Sequence, residues 1–445
     1  MPTTRSLVRK HGASAATVQA ALRALSAEGS IDTRPGAGSF VAAPRNARVP
    51  DFGWQSTSLG AAPSVPALPG TSLRDAAPGV INMGEGYPDP SLLPLGLVRA
   101  ALSRAARGEH LSKRPPTAGL APLRAWFASQ VAAATPSQLH AVGPSDVLIL
   151  PGSQAGLSLV FRAIAGQGGA LLIESPSYWG ATLAAAQAGV TLVPVASGPD
   201  GPDPEDVERA FARSGARAFY AQPTFANPHG ASWPAQNREQ ILAVCARHAA
   251  FVIEDDWARD FAIDAAPSPL AASDADGRVI YLRSLTKSTV PSLRVAAVIA
   301  RGPARERIHA EVRAQAMYVS GVLQAAALDV VTHASWASHL HRLRGSLRAR
   351  RDLLMVSLAD HAPSLGLPPA PAGGLNLWVS LPAGTEEAQV TAAAEALGLL
   401  IPGGRASFPA EATGAFLRFN FGGAPADDLV RASQVLGRVM SSPLP

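Results

Sequence analysis

Beyond about residue 80 the chain alternates short apolar runs with stretches of helical period, and that alternation is its strongest constraint on fold. Runs predicted as strands fall at 146–150, 170–174, 218–221, 251–254 and 279–282. Strands alternating with helices in this way build a layered α/β fold. With 445 residues, and roughly 150 per domain, about three structural units are expected. Charged residues make up 16% and hydrophobic ones 47%, which excludes a mainly disordered chain and implies a large interior. Cys245 is the single cysteine, so an intramolecular disulfide framework and any multi-cysteine metal site are excluded. No metal is expected, and a reducing, cytoplasmic setting is. No run approaches the ~18 apolar residues of a membrane span, and no apolar stretch follows Arg5, Arg9 and Lys10. Neither a membrane nor a secretory route is expected.

Charge is unevenly spread. Residues 1–50 hold seven basic groups against Glu28 and Asp32, a surplus of five that equals the +5 of the whole chain. A field for polyanions therefore sits at the head alone, although a solvated basic tail would carry the same charge. Pattern favours the first reading. Thr3 and Thr4 can cap a short helix that runs to Lys10 and stops at His11-Gly12. Ser14 then caps a second helix with Val18, Leu22 and Leu25 on one face. This helix-turn-helix spacing leaves Ala15, Thr17, Gln19 and Arg23 facing outward, small and polar groups suited to base edges in a major groove. A hairpin is predicted next, 31–33 against 39–41, with a tip over 34–38 whose Arg34 can reach phosphate or the minor groove.

In Ser14-Ala-Ala-Thr-Val18, Leu25-Ser-Ala-Glu-Gly29 and Arg34-Pro-Gly-Ala-Gly-Ser-Phe-Val41 the head resembles the winged helix-turn-helix of the GntR family. That resemblance implies a DNA-binding domain at 1–43 with Arg5, Ser14, Thr17, Gln19, Arg23 and Arg34 at the DNA. It implies a partial domain, because such domains open with a further helix and a short strand ahead of the segment that here begins at Met1. Residues 44–79, with six prolines and four glycines and no periodicity, read as a semi-extended linker.

Three lysines occur, Lys10, Lys113 and Lys287, against 35 arginines. Lys287 follows the predicted strand 279–282, where side chains project into the crevice at a strand's carboxyl end. A lone lysine there is usually a surface charge. An amine, however, can form a Schiff base with an aldehyde, which a guanidinium cannot, and a cation such as Arg294 helps keep it nucleophilic. Gly152-Ser153-Gln154-Ala155-Gly156 follows a strand and opens a helix, so its amides and Ser153 can cradle phosphate, or simply turn the chain. Tyr178 can stack on a flat ring or pack in the core. Asn227 can hold a ring hydroxyl or stabilise its own turn. Asp255, just past 251–254, can keep a pyridine nitrogen protonated or cap the next helix.

Together and in this order, over roughly residues 80 to 440, these elements resemble the fold-type I pyridoxal-phosphate aminotransferases of class I/II. The resemblance implies a large domain at 80–320 with a mixed, mostly parallel sheet, and a small C-terminal α+β domain at 321–445. It implies pyridoxal 5′-phosphate as cofactor, with Lys287 joined to it as an aldimine, Asp255 at the pyridine nitrogen, Asn227 at the ring oxygen and Tyr178 stacked on the ring. Ser153, Gln154, Ser284 and Arg294 are implied to hold the phosphate. Arg418, in Phe416-Leu-Arg418-Phe-Asn-Phe421, matches the arginine that grips an amino acid's carboxylate; the alternative is a surface arginine on a strand. Such sites draw residues from two subunits, so a homodimer is expected.

The sequence departs from the family pattern in three respects. Trp257 and Ala258 stand where a tyrosine usually supports the ring oxygen, Arg114 where a tyrosine reaches the partner subunit's phosphate, and Ala296 where a glycine follows the phosphate arginine. A winged-helix head, a proline-rich linker and an aminotransferase-like body together resemble the MocR subfamily of GntR regulators. The function this implies is transcriptional regulation, with the body sensing an amino compound by aldimine exchange at Lys287. The alternative is a working aminotransferase with a vestigial DNA-binding segment, and the same lysine serves both.

Overall fold

Capping decides where the helices of the head begin and end. The computed structural model of the chain describes residues 1–34, 36–42, 55, 58, 59, 74–265 and 267–441. Thr3 accepts a hydrogen bond from Ser6 N to start the helix Thr4–His11, and Gly12 ends it in the left-handed region at φ 61°. Ser14 accepts from Thr17 N to start the helix Ala15–Ala27. Strand β1 (Ile31–Arg34) then pairs antiparallel with β2 (Gly38–Val41), Arg34 facing Gly38. The strands thus absorb Arg34 and Gly38, which were expected in the tip. Among the described head residues only Val18 and Ile31 are buried; Leu22 is half-buried, and Leu25, expected on the same face, is 37% exposed. Four short elements bring too little apolar surface together to cover it.

The chain divides into two units, Met1–Pro63 and Ser64–Pro445. Most of the expected linker lies outside the described residues; near its end Arg74 forms an ion pair with Glu395. In the larger unit β3 (Ile81–Asn82) is followed by β4 (Val147–Leu150), β5 (Ala170–Ser175), β6 (Thr191–Gly198) and β7 (Gly201–Pro202). Then come β8 (Ala218–Ala221), β9 (Phe251–Asp256), β10 (Val279–Ser284) and β11 (Ala296–Ile299). Strands β4 to β11 form one eight-stranded sheet ordered β4-β11-β10-β9-β8-β5-β6-β7. Strands β6, β5, β8, β9 and β10 run parallel, while β11 runs antiparallel to both neighbours and β7 turns back on β6.

Every residue of β4, β8, β10 and β11 is buried, because helices cover both faces. That double burial is why these strands read as unbroken apolar runs. Alternate residues feed opposite cores: Phe219, Val252 and Tyr281 meet Phe127 and Val330 on one side, Tyr220, Ile253 and Leu282 meet Leu157 and Phe161 on the other. The ladder between β9 and β10 continues through Leu282 opposite Asp255 and Arg283 opposite Asp256, past the predicted strand ends. Asp255 is therefore part of the sheet and does not cap a helix.

A third core gathers Ile81, Met83, Trp257, Leu347, Phe419 and Leu436 around β12 (Asn376–Ser380) and β14 (Phe416–Asn420), which pair antiparallel. Strand β13 (Leu399–Leu400) pairs parallel with β3. The expected boundary at 320/321 does not match this packing. Helix Gly321–Thr332 gives Ala326, Ala327, Val330 and Val331 to the core of the large sheet, Trp336 packs there too, and past it the next buried apolar residues, from Leu343 onward, belong to the third core. The changeover thus lies inside the helix Trp336–His361, and β3 belongs with the C-terminal strands although it precedes its partner β13 by more than 300 residues. Buried faces set the boundary, and the loop before residue 321 only ends a helix.

On the far side of the sheet from Asp255, Arg283 Nη2 donates to Asp260 Oδ1 at 2.8 Å with both residues buried, and the guanidinium lies 5.1 Å from the Trp126 ring centroid. Tyr281 donates to Asp256 Oδ2 at 2.7 Å beside them. Removing one partner of a buried ion pair leaves an uncompensated charge. Asp260→Ala is expected to cost on the order of 3 kcal/mol, read as a lowered midpoint of thermal unfolding of the full chain.

Candidate functional site

Strand β4, antiparallel to an antiparallel neighbour, points the same way as β5, β6, β8, β9 and β10, so the carboxyl ends of six strands lie along one edge of the sheet. A cavity of about 290 Å³ lies there, lined by Ser153, Gln154, Tyr178, Asn227, Ser284, Lys287, Arg294 and Arg418 among others. Eight of the nine residues expected at the cofactor and carboxylate thus line one cavity. Asp255 is the ninth; it is 3% exposed and does not line the cavity.

Past β4, Gly152 at φ 95° turns the chain into the helix Ser153–Ile164. A Cβ at Gly152 would stand 2.6 Å from the Arg294 guanidinium, so glycine lets that cation close on the helix N-terminus. Tyr178 donates to Gln154 Oε1 at 3.0 Å, and Gln154 Nε2 donates to Gly180 O at 2.8 Å, which ties the loop after β5 to the same helix. Arg418, in β14, is 5% exposed; Nη1 donates to Asn376 Oδ1 at 3.0 Å and Nη2 to Gly84 O at 2.8 Å. It is a cavity arginine and not a surface one.

Burial dominates the electrostatics. It lowers the Lys287 amine to about 8, helped by the positive charge of Arg418 and opposed by Asp255. It lowers Arg418 to about 10. Asp255 is pushed up by burial, while hydrogen bonds from Gln222 Nε2 and Tyr220 OH to Oδ2, both at 2.8 Å, and the nearby Lys287 hold it down. Its Oδ1 has no partner among the described residues.

Several residues at this site had no signal of their own in the sequence. Gln222 also accepts a hydrogen bond from Asn227 N at 2.8 Å, so one amide links Asp255 to Asn227. Gly84, Gly86 and Tyr87 come from the far N-terminal side of the body, and the Gly-x-Gly-Tyr run was the only clue to them. Trp257, noted as a departure, places its ring centroid 4.4 Å from Lys287 Nζ. Arg114 is exposed and lies outside the cavity of the single chain, and Ala296 is fully buried in β11.

In the head, Arg5, Ser14, Thr17, Gln19, Arg23 and Arg34 are all exposed. Ser14 and Thr17 share a side-chain hydrogen bond of 2.8 Å, and Arg34 is engaged by Asp32 at 3.3 Å. Among the described residues no group of three or more His, Cys, Asp or Glu is arranged to hold a metal ion, and no helix is long and apolar enough to cross a membrane.

A family profile described as aminotransferase class I and II matches residues 78–436. The chain is 26% identical to the uncharacterized HTH-type transcriptional regulator YdfD of Bacillus subtilis (strain 168), an alignment covering 98% of this chain and 91% of that protein. It is 30% identical to the probable rhizopine catabolism regulatory protein MocR of Rhizobium meliloti over 80% of this chain and 72% of that one. Among solved structures it is similar to LysN, the α-aminoadipate aminotransferase of Thermus thermophilus complexed with N-(5′-phosphopyridoxyl)-L-leucine. That likeness has a TM-score of 0.75 and 26% identity, and covers 82% of this chain and 92% of the other.

The cofactor of this fold-type I body is pyridoxal 5′-phosphate. The residues present fit it: a buried amine, an arginine held against a helix N-terminus by a glycine, and a buried carboxylate oxygen without a partner among the described residues. Gly152→Ala, which forces Arg294 away, is expected to weaken pyridoxal 5′-phosphate binding about tenfold or more, measured by absorbance titration. Spanning residues 78–436, the family match takes in nearly the whole larger unit, and the chain belongs to the aminotransferase class I and II family.

Proposed function

We propose that the chain is a DNA-binding regulator of the MocR kind, whose aminotransferase body senses a small amino compound. One observation carries this reading: a basic helix-turn-helix and hairpin precede a body with a lysine-centred cavity in a single chain. The alignment with YdfD, which runs through the head, supports it.

Bound pyridoxal phosphate supplies an aldehyde carbon that an amine can hold and a ring that withdraws electrons from it. In the proposed roles Ser153, Gln154, Ser284, Arg294 and the first amides of the helix Ser153–Ile164 hold its phosphate. Asn227 meets the ring oxygen, Tyr178 covers the ring face, and Asp255 Oδ1 faces the ring nitrogen. Lys287 is the attaching amine, and lowering it to about 8 leaves a useful neutral fraction near neutral pH. Arg418, oriented by Asn376 and Gly84 O, grips the carboxylate of an amino compound. In the head, Thr17, Gln19 and Arg23 face base edges while Arg5, Ser14 and Arg34 meet the backbone. Two copies of the chain form the working homodimer.

A second reading, an aminotransferase that moves an amino group from an amino acid to a 2-oxo acid, is favoured by the same Lys287 and Arg418 in one cavity. Gel shift of promoter DNA by the full-length chain separates the two. The regulator reading expects a shift that weakens steeply as salt rises and changes when an amino-acid effector is added. No shift at low salt, together with amino-group transfer on the order of 1 per second or faster, overturns it in favour of the enzyme. Lys287→Ala is expected to abolish the yellow, borohydride-trappable adduct in either case; an adduct persisting at Lys10 or Lys113 would refute the assignment of the attaching amine.

A further inference from the structure

The Lys287 amine faces aromatic rings. Its Nζ stands 4.4 Å from the centroid of the Trp257 ring and 5.9 Å from that of Tyr87. Trp257 is fixed from behind: Nε1 donates to Phe225 O at 3.0 Å, and the residue is packed into the third core. With its N–H spent, the indole offers Lys287 only its electron-rich face. An ammonium over such a face in a desolvated site is attracted by the ring, and a neutral amine is not. Asp255, the acid nearest in effect, is already engaged by Tyr220 and Gln222.

We infer that Trp257 is a positioning residue for Lys287: its ring face holds the ammonium form of the amine inside the cavity whenever the amine is not joined to the cofactor. The amine then stays in place and gives up its proton less readily than burial and Arg418 alone would make it. This holds whether the body senses or converts, so it stands apart from the choice between those readings. Other groups also act on the amine. Arg418 from β14 opposes its charge and Asp255 from β9 favours it, while Arg294, Tyr87 and Tyr178 share the cavity. Burial and Arg418 lower the amine, and the Trp257 face works against both.

The test uses the full-length chain stripped of cofactor, with pyridoxal 5′-phosphate added back and the borohydride-trappable adduct followed in time across about pH 6 to 10. Only the neutral amine attacks, so the attachment rate climbs through the amine's titration. Trp257→Leu keeps apolar bulk and removes the ring; the midpoint of the pH–rate curve is expected to fall by about half to one pH unit. Trp257→Phe, which keeps a ring face, is expected to restore the wild-type midpoint to within a few tenths of a unit. Should Trp257→Leu fail to fold, Trp257→Met makes the same comparison. An unchanged midpoint with only the plateau altered would mean the ring merely fills space. A raised midpoint would mean that it acts by excluding water. Either result overturns the inference.

Discussion

A parallel sheet covered on both faces has no wet side, and every polar group that is to meet a ligand must emerge where its strands end. In this chain β4, β8, β10 and β11 are buried along their whole length. Gly152, Tyr178, Asn227 and Lys287 all come from connections leaving the carboxyl ends of strands, and Asp255 stands near the end of the β9 ladder. The cavity is therefore a consequence of the layering: side chains far apart in sequence converge because the parallel strands deliver them to one edge.

Having assembled these groups, the fold must keep charge in a poorly solvated place. Lys287 and Arg418 are both depressed by burial, and each also borders a polarisable or hydrogen-bonding wall. Burial raises Asp255, and two donors aimed at one of its oxygens, together with the charge of Lys287, work against that rise. The second oxygen, unpartnered among the described residues, gives the site its demand for a donor, and a protonated pyridine nitrogen is a donor of the kind that would satisfy it.

Much of this could be read before the fold was known, and the reasons are physical. Strand centres were visible because double burial writes them as continuous apolar runs. Their ends were not, since the ladder runs on through Asp255, Asp256 and Ser284, which look like loop residues. Lys287 and the Gly152–Gly156 turn stood out because an amine and a glycine have few substitutes in their tasks. Tyr220 and Gln222 did not, because their importance lies in which carboxylate they reach, and that is fixed only by the pairing of β8 with β9. Trp257 was recognisable as an exception, but that its ring would face the amine was not. The side on which helix Gly321–Thr332 packs was hidden for a related reason: it is apolar enough to suit either core, and only packing sets it against the large sheet.

The pairing of β3 with β13 has a mechanical meaning. Ile81 N and Met83 N donate to Gly398 O and Leu400 O, both at 2.9 Å, and the residues that follow, Gly84, Gly86 and Tyr87, line the cavity. Asn420 clasps the same stretch through Glu85 O and Tyr87 O, and Gly84 O holds the Arg418 guanidinium. The opening stretch of the body is thus a strap under two clasps. The carbonyl that receives the Arg418 guanidinium therefore owes its place to strand pairing on one side and to the Asn420 amide on the other, and not to the loop that carries it.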